Sequence, residues 1–241
     1  MIKSRLTNII DEFFAIGANH DLSADRVCRA KILEFLREED NLLLPWDDEN
    51  LVLGKDVIHY IDASNVFAQT TEREKAYYIL KPFLDRMLET ESDQWHFYHL
   101  NLLSASFCFT ATLKDAQILE KKALHRISQF KRLRDTKAVE AVMACQLTLR
   151  ILDAQTFDQD DKIDFERYFK QQLRRLKGIA DADQAYEFYF KIGQIRWEIF
   201  NGHPKPARKL CDELETNTDK MMVQLLRKEI ETYSIEADNA S

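Results

Sequence analysis

Apolar positions recur along this chain at steps of three and four, the spacing that lines one face of an α-helix. Ala116, Leu119, Ala123, Ile127 and Phe130 follow it, as do Tyr186, Tyr189, Phe190, Gly193, Trp197 and Phe200. Residues suited to opening a helix punctuate the pattern, most of them with a side-chain oxygen for the free amides of a first turn. They are Ser4, Ser23, Asp56, Thr71, Ser92, Thr112, Asp135, Asp158, Asp181, His203 with Pro204, and Thr218. Thr71 with Glu74, and Asp181 with Gln184, have the spacing of capping boxes. From Thr71 onward the starts recur about every 20–25 residues, which is a helix of five turns plus a short connection. Pro82 falls inside one such segment and predicts a kink, since proline removes a helical amide and crowds the preceding turn. Leu44 to Lys55 is the longest stretch expected to be irregular.

The charges alternate from one predicted helix to the next. Asp25 to Asp40, Glu72 to Glu91, Lys114 to Asp135 and Asp158 to Lys177 are dense in charge. Between them, Val57 to Thr70 has almost none and Trp95 to Ala111 has none; Ala138 to Ala154 carries only Glu140, Arg150 and Asp153. Ala182 to Asn201 is moderate. A helix that is apolar round most of its circumference must be packed on several sides, while one with a single apolar stripe can face water. Alternation of the two kinds therefore predicts two layers, with each antiparallel pair giving one inner and one outer helix. The expected fold is all-α: a right-handed, tetratricopeptide-like solenoid over residues 1–241 as a single domain, with 1–55 as an atypical N-terminal cap. Its low-charge helices would line a concave groove.

Composition agrees with the class. Five Gly and four Pro are too few for the tight turns of a sheet protein. The formal charge of −7 argues against a dedicated nucleic-acid surface. Cys28, Cys108, Cys145 and Cys211 are far apart in apolar runs, which predicts reduced core thiols and a cytoplasmic setting. Arg5, Asp11 and Glu12 interrupt what would be the apolar stretch of a secretory signal. Trp95 to Leu113 lacks formal charge over about 19 residues, but its His, Asn, Ser and Thr residues fit a buried helix better than a membrane span.

No spacing suggests a catalytic group, a cofactor loop or a metal site. His96 and His99 share a helical face without a third ligand, and His59 with Asp62 is a similarly sparse pair. Lys121, Lys122, Arg126, Lys131, Arg132 and Arg134, echoed by Arg167, Lys170, Arg174, Arg175 and Lys177, form the main basic concentrations, expected on solvated outer faces, with a surface for an anionic partner as the alternative. The candidate ligand-binding residues are the polar interruptions of the inner helices: Asn65, Asn101, Gln146, Arg150, Lys191 and Gln194. Each needs a partner, either in a neighbouring helix or in a ligand. Asn and Gln suit a peptide backbone, and Arg150 or Lys191 a carboxylate. Phe97, Tyr98, Tyr189 and Trp197 are candidates for side-chain pockets.

Two segments, Trp95 to Leu103 (WHFYHLNLL) and Phe188 to Gly193 (FYFKIG), resemble the C-terminal helical-repeat region of Rgg/MutR-type transcriptional regulators. That resemblance implies a repeat domain that senses short peptides and dimerises. The sequence departs from the family where His99 replaces an expected acidic residue, and no helix-turn-helix is recognisable near Met1, so direct nucleic-acid binding is not expected. The expected function is thus a peptide- or protein-binding regulatory domain without enzymatic activity. A constitutive interaction scaffold and a helical carrier or enzyme are the alternatives.

Overall fold

The computed structural model describes residues 5–16, 22–37, 49–70, 72–157, 163–215 and 220–239, and the regular structure of these residues is helical. The chain divides into two compact units, Met1–Arg86 and Met87–Ser241.

In the first unit, α1 (Arg5–Ile16), α2 (Leu22–Arg37) and α3 (Glu49–Thr70) pack pairwise on one another. Leu6, Ile10, Ile32 and Ile61 are wholly buried in this core. Helix α3 begins at Glu49, so Glu49 to Lys55 is helical where the sequence suggests a loop. Residues 44–48 lie outside the described ones, as do the expected starts Ser4, Thr71, Asp158 and Thr218. Asp56, expected to open a helix, stands inside α3. It is buried and pairs with Arg86 of α4 (Arg73–Glu89). Burial raises its carboxyl pKa above the usual value, against the opposing pull of Arg86. Helix α4 runs through Pro82.

The second unit holds α5 (Phe97–Ser106), α6 (Leu113–Phe130), α7 (Lys137–Phe157), α8 (Phe165–Ala182), α9 (Glu187–Phe200), α10 (Pro204–Glu215) and α11 (Lys220–Asn239). A 3-10 turn at Phe107–Phe109 ends the long uncharged segment after α5, so it is one short helix and a buried turn. Thr112 opens α6 as expected, and its cap is reciprocal with Asp115, a pairing not read from the sequence. Helix α8 starts later than Asp158 suggests, capped by Asp164. Asp181 lies within α8 and pairs with Lys177.

Contacts follow the charge pattern. Helix α5 packs on α7, α7 on α9 and α9 on α11, while α6, α8 and α10 each pack on the members of that series beside them. From Val139 to Ala154 only Glu140, Val142 and Gln146 escape burial, so α7 is surrounded by other helices. The opposite pattern holds in α6, α8 and α10, whose buried positions form a single stripe such as Leu113, Ala116, Leu119, Ala123 and Ile127. At Gly193 a Cβ would lie 2.8 Å from Leu176 Cδ1 and 3.0 Å from Leu173 Cδ2; a glycine there lets α8 and α9 approach.

Each series also contains a buried charge that ties neighbouring helices. Arg196 of α9 donates from Nη1 to the Cys145 carbonyl of α7 at 2.8 Å and makes two 2.8 Å bonds to Glu229 of α11. Burial alone would lower its pKa, but Glu229 more than compensates and the guanidinium stays charged. Glu120 of α6 accepts from three groups of α8: Tyr168 Oη at 2.6 Å, Gln172 Nε2 at 3.0 Å and Arg175 Nη1 at 2.5 Å. Burial, then the Glu120 charge, pushes the Tyr168 phenol upward, so it stays a donor.

Removing one member of a buried pair strands the other. Arg196→Met is expected to cost about 3–5 kcal/mol in urea denaturation, and adding Glu229→Met to recover most of that. A single-variant loss under about 1 kcal/mol would show the pair to be dispensable.

Candidate functional site

The six polar positions flagged within the low-charge helices separate into two groups by what their side chains touch. Arg150 is wholly buried and belongs to the fold. Its Nε donates to the Thr110 carbonyl at 3.2 Å, Nη2 to the Ala111 carbonyl at 3.1 Å and Nη1 to Asp153 at 3.1 Å. It thereby holds the turn between α5 and α6 against α7, a local role in place of the expected ligand carboxylate. Tyr233 of α11 reaches the other oxygen of Asp153 at 3.5 Å. Lys191 is exposed and pairs with Glu187, one turn earlier in α9, at 3.1 Å.

Asn65, Asn101, Gln146 and Gln194 are each half-buried, and their amide groups make no hydrogen bond to the described residues. Asn65 belongs to α3 in the first unit. The other three stand on α5, α7 and α9, which pack side by side in the second unit. On α7 the unburied positions Ala138, Val142 and Gln146 lie four apart and so on one stripe. Asn101 and Ala105 make the same kind of stripe on α5, and Lys191, Gln194 and Glu198 on α9. Each stripe is narrow, mostly uncharged on α5 and α7, and carries one amide with spare donors and an acceptor.

Tyr189 adds a fourth group. Its ring is half-buried on α9, edge-on to Phe188 at 5.5 Å, and burial, then the nearby Cys145 thiol of α7, pushes its phenol up to about 12. The hydroxyl makes no hydrogen bond to a described residue. Periodicity marks Tyr189 as apolar-face, and nothing in its spacing shows the free hydroxyl. Phe97 and Trp197 are used between helices instead. Phe97 meets Phe130 of α6 edge-on at 5.5 Å, and Trp197 packs against the buried Phe169 of α8 at 5.4 Å. Tyr98 is half-buried near the start of α5.

His96 and His99 take helix-end roles. His96 precedes α5, and its backbone amide donates to His99 Nδ1 at 3.0 Å. Asp62 is bound by Arg29 at 2.8 Å, while His59 lies in the field of Asp56. Among the described residues no group of three or more His, Cys, Asp and Glu side chains stands close enough to hold a metal ion. Cys28, Cys108, Cys145 and Cys211 are buried thiols outside any disulfide.

Much of the basic concentration also serves the fold. Lys122 donates to the Leu88 and Thr90 carbonyls at 2.7 and 3.0 Å, closing the end of α4, and Arg126 Nε donates to the Trp95 carbonyl at 2.8 Å. Among the described residues no helix is long and apolar enough to cross a membrane. Comparison with protein-family models, curated proteins and solved structures finds no match.

Arg150→Ala should lower stability by about 3 kcal/mol or more, because two carbonyls and Asp153 lose their donor. Gln146→Ala and Gln194→Ala should stay within about 0.5 kcal/mol of the parent, since they break no bond to a described residue. Chemical denaturation of the three variants reads both. A titration at the phenolate absorbance should show one tyrosine ionising near 12 that Tyr189→Phe removes. Its folded pKa lies above the unfolded value of 10.0, so its stabilising contribution is full below that value and is lost as pH rises through about 12.

Proposed function

We propose that the second unit is a peptide- or protein-segment-binding module of helical-repeat, tetratricopeptide-like form, whose inner face is built from α5, α7 and α9. The observation that carries this reading is the row of free amides at Asn101, Gln146 and Gln194, one on each of three successively packed helices. A half-buried amide without a partner among the described residues leaves both its donors and its acceptor available to a ligand. An extended polypeptide offers both in alternation along its backbone, and a carboxylate or phosphate ligand only acceptors. Neutral lining on α5 and α7 favours the polypeptide. The Tyr189 hydroxyl supplies a further hydrogen-bonding group beside aromatic surface from Phe188 and Tyr189, suited to an apolar side chain.

In this reading the even-numbered helices α6, α8 and α10 form the outer layer. Occupancy changes the spacing of α5, α7 and α9, and the change is passed to whatever the module regulates. The resemblance of Trp95 to Leu103 and Phe188 to Gly193 to peptide-sensing regulators supports the regulatory role, a cytoplasmic setting and a dimer.

A pool of short hydrophobic peptides is expected to raise the melting temperature of the full chain, and the double variant Gln146→Ala/Gln194→Ala to remove the shift while melting like the parent without peptide. A shift of the same size in the double variant, or none in the parent at saturating peptide, would overturn the proposal.

A further inference from the structure

The turn that joins α6 to α7 presents a second surface, separate from the amide row. Its sequence, Lys131, Arg132, Leu133, Arg134, is cationic around one leucine that is 80% exposed. The exposure belongs to an ordered turn. Lys131 N–H donates to the Ile127 carbonyl at 3.0 Å, and the Phe130 carbonyl accepts from Leu133 N–H at 2.8 Å and Arg134 N–H at 3.1 Å. Next along the chain, the Arg134 guanidinium lies 4.1 Å from the centre of the Phe97 ring. Phe97 meets Phe130 edge-on, and Arg126 lies 4.6 Å from the centre of Phe130. The result is a ladder of two cations and two rings whose Arg134 end directly follows the exposed Leu133 in the chain.

The acids around this ladder are already engaged. Glu140 holds Lys131 and accepts from Thr136, Asp135 accepts from the Lys137 backbone amide, and Asp93 accepts from Gln129 and faces His125. Neither the Arg132 nor the Arg134 guanidinium makes a hydrogen bond or ion pair with a described residue. Arg134 is held by its ring contact, so both edges of its guanidinium remain open to a bidentate acceptor.

We propose that this turn docks an acidic peptide segment of a partner protein, its carboxylates meeting Arg132 and Arg134 and one apolar side chain covering Leu133. The charge of the chain decides between anionic partners. A polynucleotide or an anionic membrane binds through many cations acting at long range, and a net charge of −7 opposes both. A short acidic segment needs only two good guanidinium contacts and an apolar anchor, which this turn supplies.

The test uses the full chain and a short fluorescein-labelled peptide of alternating Glu and Leu, followed by anisotropy. Binding should weaken as salt is raised. It should fall by about tenfold or more in Arg132→Glu and in Leu133→Ser, both fully solvated changes that leave the fold intact. Gln146→Ala/Gln194→Ala should bind the peptide like the parent, which keeps this surface distinct from the amide row. Equal affinity for the same peptide with Gln in place of every Glu, tighter binding of a single-stranded oligouridine or of anionic vesicles, or unchanged binding in both turn variants would each overturn the proposal.

Discussion

A guanidinium that is taken out of water must be given back both a negative charge and hydrogen-bond acceptors, and the second unit is arranged round that demand at Arg196. Glu229 supplies the charge from α11 and the Cys145 carbonyl an acceptor from α7, so one side chain fixes three helices in register. Apolar contacts alone would let these helices slide at little cost, since burial is non-directional. Glu120 plays the converse part between α6 and α8, an anion met by a phenol, an amide and a guanidinium. With the registers set, the apolar core of Leu176, Ile192, Ile195, Ile199, Leu226 and Ile230 closes around them.

The same constraint explains why the inner helices can carry free amides. Arg150 and Arg196 are screened from solvent and held by partners within the fold, whereas Gln146, one turn before Arg150 on α7, lies on the incompletely buried stripe it shares with Ala138 and Val142. A single helix thus changes from structural to available polar groups within a turn. The neutral amide costs less to leave half-solvated than a charge would, and it keeps both hydrogen-bonding senses for a ligand.

Helical class and the alternation of helix types were legible in the sequence because both depend on local spacing. Thr112 and Pro204 mark their helix starts for the same reason: the cap or the proline acts on its own turn. Asp56 and Asp181 mislead because an aspartate in mid-helix can pair with a distant Arg86 or a nearby Lys177, and the sequence does not tell a cap from an ion pair. The division at Arg86 and Met87 carries no linker composition that would mark it. For the site, helical spacing found the amides, but it put Arg150 with them. Its partners, Thr110 and Ala111, are some forty residues away and contribute only backbone carbonyls, which no residue type reveals. Lys122 and Arg126 were hidden among outer cations for the same reason.

The central claim is that Asn101, Gln146 and Gln194 form one face that a peptide occupies. Side-chain amide resonances observed by NMR during addition of the hydrophobic peptide pool address it most directly, with Gln172 as an internal reference because its amide is held by Glu120. The account predicts that the three free amides shift together and saturate together while Gln172 stays in place. Shifts scattered over exposed amides such as Gln129, with Asn101, Gln146 and Gln194 unmoved, would contradict it.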